Sequence, residues 1–472
     1  MEGSSDLALA EEDSERSRLP VAALEFSEAD LKIWRGRSFG RGIAPAFRRF
    51  GKKWGRVFTI YLRHVPAHSR RYCASYLQRM RSDVDEVTFI TNLKALSTAC
   101  IKRTVRSGPG PYTFLCDMHV LGGYGTILNR VDVLSGYRDS FTGDLDQSVL
   151  KPYIDATIAL MHFKDPGYSF KNFVQFRDSW ATSGASTHGK PLTLEVNGRA
   201  LKVRGKFAST CAYGDEELIS NCIQKRSSVI KPFRKIDEPV KTRVVQSYDL
   251  WSYLRCSYCE QFIESFNGTT NWTTLNMTPL VRGSVRHALL SKMKRGMYTA
   301  LCTDQSSFDQ RQSGANVAYT LGKLFENARR VASPSNARMI ERLSECECYG
   351  FGNARVVDPR TKEFIGTWER GVPSGHRWTA LIDSILNRAA TMYVTDRLGL
   401  SCDIGLWQGD DAVVLVEGAV DSEAVAREYE SLGMKVNPEK TWTSSVRFEF
   451  LHEFTSTSRG AWGMPARAFK SL

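Results

Sequence analysis

Long apolar runs are the first thing this 472-residue sequence lacks. Every candidate is broken by Arg or Lys within about ten residues, against the roughly 20 that a membrane-spanning helix needs, so no span is expected. A basic-then-apolar leader is missing too: MEGSSDLALAEEDSER, Met1 to Arg16, is acidic, which argues against secretion. The 11 cysteines are odd in number and scattered, with no extracellular framework, so a reducing compartment is expected. Cys256 and Cys259 form a CxxC, yet no second pair at zinc spacing follows; Cys346 and Cys348 come nearest, and a structural zinc is not expected. No internal repeat is present, which excludes a solenoid. Acidic residues are wholly absent between Lys32 and Arg81, a run that holds 14 Lys or Arg.

That basic run is interleaved with Trp34, Phe39, Phe47, Phe50, Trp54 and Phe58. A solvated helix face normally mixes signs, so a single-sign block with aromatics favours a surface that tracks phosphates over a tail that only aids solubility. The whole chain agrees: a formal charge of +13 and a pI near 9.2 point to a polyanionic partner. The length calls for two or three subdomains rather than one core.

The stretch LWQGDDAVVLVEG, Leu406 to Gly418, sets Asp410 and Asp411 between two apolar runs. This reads as a β-hairpin with carboxylates at its tip, a costly arrangement unless a cation takes the charge. A Gly-Asp-Asp tripeptide arises by accident in roughly one chain in ten of this size, so it needs company. Tyr298 to Thr303 reads as a strand ending at Asp304, with Asp309 five residues on. Lys231, Arg234, Lys235, Lys241 and Arg243 cluster in an extended, Pro-interrupted segment; on a strand Lys241 and Arg243 share a face and could hold a triphosphate, or simply decorate an edge. Gly371 to Gly399 opens as a Gly-Val-Pro-Ser-Gly loop and continues as a helix on which Thr379, Asp383 and Asn387 share one stripe. That stripe either faces solvent or lines a polar pocket. Helices are also expected over Val84–Ile101, Ser148–Phe163 and Asp421–Leu432, and a closing hairpin around Phe448, Phe450 and Leu451.

In this order the segments resemble the viral RNA-dependent RNA polymerases, from about Trp180 to the C-terminus. KTRVV looks like the fingers strand beside the nucleotide channel. TDQSSFDQ, SGHRWTALIDSILN and QGDD look like the first three palm motifs; Glu439-Lys440-Thr441 looks like the fourth and FEFLHEF like the fifth. Ser183-Gly184-Ala185-Ser186 is similar to the motif that guides the template. The pattern S-G-x3-T-x3-D-S-x2-N is similar to that of polymerases of partitivirus and picobirnavirus type, from viruses with double-stranded RNA genomes. Many positive-strand families have Asn where this chain has Asp383.

The resemblance implies an α+β right-hand polymerase with an antiparallel palm sheet, helical fingers and a short or missing thumb. Its expected divisions are 1–30, an acidic disordered start; 31–105, a basic extension; 106–296, fingers; 297–313, palm; 314–370, a fingers insertion; 371–446, palm; and 447–472, a palm–thumb junction with a truncated thumb. It implies two Mg²⁺ or Mn²⁺ ions on Asp304, Asp410 and Asp411, with Asp411 the secondary ligand, and Lys440 as proton donor to pyrophosphate. Lys241 and Arg243 would grip the triphosphate. Asp309, Ser374, Gly375, Thr379, Asp383 and Asn387 would surround the nucleotide, while Ser183, Gly184 and Lys235 would touch the template. RNA template, RNA product and nucleoside triphosphates are the implied partners, a viral capsid protein a further one, and the host cytoplasm or the particle interior the implied location.

Two other readings stand beside this one. A reverse transcriptase shares the palm, but its aromatic-x-Asp-Asp turn is Gln408-Gly409-Asp410-Asp411 here. A non-catalytic RNA-binding or capsid protein would explain the charge and aromatics but not the ordered carboxylates.

Overall fold

The computed structural model describes residues 61–62, 64–79, 86–122, 137–182, 184–235, 243–436 and 441–470; within these the side chains of residues 74, 75, 77–79, 86, 87, 89, 90, 234, 243, 469 and 470 are not described. The acidic start, the basic run up to residue 60, Ser183, Lys241 and Lys440 lie outside the described residues. The chain divides into two compact units. One comprises Met1–Ile127, Ile236–Thr242 and Trp462–Leu472, the other Leu128–Lys235 and Arg243–Ala461.

In the first unit, helices Ala67–Arg79 and Glu86–Ser107 are followed by two 3₁₀ turns, Pro111–Leu115 and Met118–Gly122. The second helix runs six residues past the expected Ile101, since Lys102, Arg103, Thr104, Val105 and Arg106 offer no breaker before Gly108. The C-terminal helix Pro465–Lys470 belongs here as well. Cys73, Leu93, Leu115, Cys116, Met118, Met464 and Ala466 are among the unit's buried apolar residues, and Arg467 pairs with the buried Asp117 carboxylate.

The second unit carries every described residue expected at the site. Its labelled elements are, in chain order, β1 (Val229–Lys235), β2 (Arg243–Ser247), α1 (Leu250–Glu260), α2 (Pro279–Lys294), β3 (Tyr298–Thr303) and α3 (Gly314–Val331). They continue with α4 (Pro334–Gly352), β4 (Arg355–Val357), β5 (Phe364–Thr367), α5 (Thr379–Arg397), β6 (Cys402–Gln408), β7 (Asp411–Glu417), α6 (Ser422–Ser431) and β8 (Trp442–Ser444). Two four-stranded sheets organise it. The first has the order β6-β7-β3-β8 and is antiparallel throughout. The second, β2-β1-β4-β5, is mixed, with β1 and β4 parallel.

The antiparallel sheet is covered on both faces. Ala412, Val414 and Val416 of β7 and Leu301 of β3 join the large core that includes α5 and α6. The alternate residues Val413, Leu415, Ala300 and Cys302 pack with Val285, Leu289 and Met293 of α2 and with Phe448 and Phe450. Side chains alternate across a strand, so two covered faces need an unbroken apolar run rather than a period of two. Ala412-Val413-Val414-Leu415-Val416 is that run, and its last four residues are each 0% exposed. Each such side chain stabilises the fold by about 1.5–3 kcal/mol relative to exposure. The C-terminal hairpin forms as Arg447–Phe450 and Glu453–Ser456. The expected helix from Ser148 is shorter, a 3₁₀ turn followed by Lys151–Ile158. Among the described residues no helix is long and apolar enough to cross a membrane.

Candidate active site

The hairpin β6–β7 closes through Gly409 and Asp410, with Gln408 paired to Asp411. Gly409 takes φ 60°, the value a two-residue turn led by glycine requires. Next to it, β3 ends at Thr303, just before Asp304. Thr303 pairs with Ala412, so continuing the ladder by one step sets Asp411 directly across from Asp304. Asp304 continues the face of Ala300 and Cys302, and Asp411 continues that of Val413 and Leu415, so by alternation both point to the same side. The negative charge of Asp411 helps push up the Cys302 thiol, after burial itself, which agrees with that placement. Asp410 sits exposed at the tip, while Asp304 and Asp411 are half-buried. In the ladder it is Asp411, the expected secondary ligand, that faces Asp304, with Asp410 one residue away at the turn.

Helix α5 backs this turn. Leu381 to Asn387 are buried without exception, so the polar stripe does not face solvent. Asn387 is wholly buried: its amide donates to the Gly409 carbonyl at 2.9 Å, and its side-chain oxygen accepts from the Gln305 amide at 3.2 Å. Ser384, also 0% exposed, accepts the Gly409 N–H at 2.9 Å and donates to the Ala380 carbonyl at 2.6 Å. Asp383 lies on the same helix. Burial first, and then the charges of Asp309 and Asp410, push its carboxyl well above the usual range, which places all three acids around one locus. One Asp383 oxygen has no hydrogen-bond partner.

The loop before α5 is sewn to two neighbours. Ser374 and Gln246 of β2 bond reciprocally: the Gln246 N–H donates to Ser374 Oγ at 3.0 Å, the Ser374 N–H donates to Gln246 Oε1 at 2.8 Å, and Ser374 Oγ also donates to Gln246 Oε1. A Cβ at Gly375 would collide with the Gln246 carbonyl oxygen. At the other end Gly371 has φ 80°, and a Cβ there would collide with the Asp309 carbonyl, which itself accepts from Val372 N–H at 2.8 Å. Thr379 Oγ1 donates to the Pro373 and His376 carbonyls, both at 2.9 Å. Ser374, Thr379 and Asn387, expected around a nucleotide, therefore spend their polar groups on the protein itself. Asp309 and Asp383 stay at the locus.

Below the loop, Cys256, Glu347 and His376 bring three metal-competent atoms within 4.8 Å of one another. They do not make a metal site. The Trp378 N–H donates to His376 Nδ1 at 3.1 Å, so Nε2 keeps the proton and gives it to Glu347 at 3.1 Å. Burial pushes the Cys256 thiol well up, leaving it protonated. Glu347 is already matched by Arg255 at 2.7 Å, both fully buried. Burial alone would raise the Glu347 carboxyl, but Arg255, with hydrogen bonds from His376 and Ser252, outweighs it and holds the group at about 2. The cluster is an ion network that anchors His376, and no cysteine among the described residues is in a disulfide.

Gly184 lies on its expected loop, its carbonyl accepting from Lys206 N–H at 2.8 Å; Lys235 ends β1, paired with Arg243 of β2. Gln246, Gln305 and Ser384 were assigned no role from sequence. Ser384 sits inside the quoted D-S-x2-N pattern, but nothing in that pattern says its partner is a backbone 25 residues on.

The profile of the family described as viral RNA-directed RNA-polymerase matches residues 148–472. A probable RNA-directed RNA polymerase of Giardia lamblia virus is 26% identical over 314 residues, 65% of this chain and 15% of that protein. The chain thus spans about 15% of the length of that curated relative. The crystal structure of the RNA-dependent RNA polymerase of a human picobirnavirus superposes with a TM-score of 0.52 at 15% identity, covering 87% of this chain and 74% of the other, which establishes a shared fold.

Proposed function

Since this chain belongs to the viral RNA-directed RNA-polymerase family, we propose that it joins ribonucleotides to an RNA 3′ end under the direction of an RNA template. The observation that carries this reading is the meeting of Asp304, Asp410 and Asp411 at one end of adjacent antiparallel strands. In this reading the antiparallel sheet is the palm and the mixed sheet with its helices belongs to the fingers.

Carboxylate oxygens are hard donors, and the Asp304, Asp410 and Asp411 set suits Mg²⁺ or Mn²⁺ rather than zinc or copper. Crowded negative charge at the locus, felt by Asp383, is the observation that fits a cation there. When bound, a pair of such ions supplies charge neutralisation for the attacking and leaving oxygens. Asp304, Asp410 and Asp411 hold that charge in place; Arg243 and Lys241 grip the triphosphate; Lys440 gives a proton to pyrophosphate as the bond to the α-phosphorus breaks. Asp309 and Asp383 meet the ribose, where a hydroxyl can satisfy the unpartnered Asp383 oxygen. Ser183, Gly184 and Lys235 border the template, whose sequence is read by base pairing while the protein reads phosphate and shape. The host cytoplasm or a virus particle is the compartment where such an enzyme works.

Extension of a primed RNA template with labelled ribonucleotides and, separately, deoxyribonucleotides tests the reading. Incorporation of ribonucleotides that requires Mg²⁺ and disappears in Asp410→Asn is expected. A preference for deoxyribonucleotides would replace it with a reverse transcriptase, and RNA binding without incorporation by the wild type would replace it with a non-catalytic role.

A further inference from the structure

The Asp-Asp turn has its backbone gripped from behind. Gly409 is the first residue of the turn, and both of its main-chain polar groups go to α5: the N–H to Ser384 and the C=O to Asn387, each at 2.9 Å. Ser384 and Asn387 are three apart, so they lie on one face of the helix, the face that meets the hairpin. The grip continues inward. Asn387 also takes the Gln305 amide, and Gln305 is the neighbour of Asp304. Thr391, one turn further along α5, donates to the Asn387 carbonyl at 2.8 Å and accepts from Trp407 Nε1 at 3.1 Å and from the Tyr429 hydroxyl at 2.9 Å. One buried polar cluster therefore touches the residue after Asp304, the residue before Asp410 and the strand that leads into the turn.

The bonds from Ser384 and Asn387 end on Gly409, the residue before Asp410, which stands exposed at the tip. A two-residue turn held only by its own ladder can rock about its last pair, Gln408 and Asp411. Two further bonds to fully buried side chains of α5 remove that freedom. Placement is what such bonds control: a displacement on the order of 1 Å in a catalytic group can cost about a hundredfold in rate.

We propose that Ser384 and Asn387 are positioning residues that hold Gly409, and through it fix where the Asp410 and Asp411 carboxylates meet a divalent cation. This rests on the polymerase reading for the identity of the cation site, but the grip itself can be read without turnover. Ser384→Ala is the primary variant, because it removes the acceptor for Gly409 N–H and otherwise loses only a bond back to its own helix. Asn387→Ala is the second.

Mn²⁺ binding to the purified full chain, followed by electron paramagnetic resonance without nucleotide, should weaken about tenfold in Ser384→Ala while the circular dichroism spectrum stays that of the wild type. In steady-state extension, kcat should fall about ten- to a hundredfold with the ribonucleotide KM within about threefold, and raised Mn²⁺ should restore part of the rate. Unchanged Mn²⁺ affinity in a folded Ser384→Ala protein overturns the proposal. So does a raised KM with kcat intact, which would make the residue a substrate contact. Should Asn387→Ala fail to fold, Ser384→Ala still decides. A wild type that binds no Mn²⁺ refutes the polymerase reading instead, and a wild type that binds Mn²⁺ but does not polymerise leaves the binding comparison as the deciding measurement.

Discussion

Ser374 and Gln246 face each other across 128 residues of sequence and exchange hydrogen bonds in both directions, backbone to side chain each way. Strand β2, which carries Arg243, is thereby fastened to the loop that leads into α5, and α5 reaches the Asp-Asp turn. Ser374, expected beside the nucleotide, ties these two segments of the site together. We predict that Gln246→Ala destabilises the fold by about 1–3 kcal/mol, because it strands the Ser374 donors in a half-buried place. The same change should raise the ribonucleotide KM more than it lowers kcat. Urea unfolding and extension kinetics on one preparation check both; a KM equal to the wild type's would mean the loop needs no such tie.

The acids at the strand ends carry a simpler prediction. Asp304→Asn and Asp410→Asn each remove a hard, charged donor while keeping shape, so incorporation of labelled ribonucleotide should drop by at least about a thousandfold with RNA binding retained. Chelation of divalent cations should do the same to the wild type, reversibly. Asp411→Asn, given its place opposite Asp304, should also lose most activity rather than show a mild defect. Near wild-type incorporation by Asp411→Asn would restore the weaker role that sequence order alone suggested.

How much of this was legible beforehand follows from the physics of each element. The hairpin, the strand before Asp304 and the helix after Gly375 are local: a turn residue, a β-branched run and a three-and-four spacing announce them. Their order also carried the family resemblance. Partners distant in sequence left no such mark. Gln246 is one more polar residue in a strand, and Glu347 one more acid in a helix between Cys346 and Cys348, until folding closes them on Ser374 and His376. The polar stripe of α5 left two readings open for a specific reason. Thr379 and Asn387 at helical spacing mark a face with buried polar demands, and a ligand and the protein's own backbone are equally good ways of meeting them. The glycines of the loop were visible as residues but not as contacts: that Gly375 has to admit the Gln246 carbonyl is a fact of packing.

The buried Arg255–Glu347–His376 network should govern acid stability. The Glu347 carboxyl sits at about 2 in the folded chain against an ordinary 4.5 when unfolded. Its folded value is depressed, so the contribution is fully present above pH 4.5 or so and is lost as pH falls toward 2. At one pKa unit per 1.36 kcal/mol the contribution is on the order of 3 kcal/mol. Glu347→Gln should therefore lower stability at neutral pH by about 3–5 kcal/mol, since Arg255 would be left buried without its charge partner, and should flatten the stability profile between pH 4.5 and 2. Chemical denaturation at a series of pH values measures this directly. A profile parallel to the wild type's would assign the acid sensitivity to other carboxylates.

Asp383 presents the opposite sign on the other side of the loop. Burial, and then the charges of Asp309 and Asp410, raise its carboxyl, so the folded chain keeps a proton that the unfolded chain gives up above its ordinary value of 3.8. Stability from this group is thus present at low pH and is lost as pH climbs toward the raised value, which makes the residue a net cost to folding at neutral pH. Asp383→Asn keeps the shape and a hydrogen-bond donor while abolishing the titration. In the presence of EDTA, where no cation offsets Asp410, the variant should melt at a higher temperature than the wild type at pH 7, with the difference shrinking as pH is lowered to 4. Its discrimination between ribo- and deoxyribonucleotides should persist, because a neutral acid and an amide can both donate to a ribose hydroxyl. If the variant instead loses discrimination while gaining stability, then it is the ionised form of Asp383, reached only once nucleotide and cations are bound, that accepts from the ribose hydroxyl.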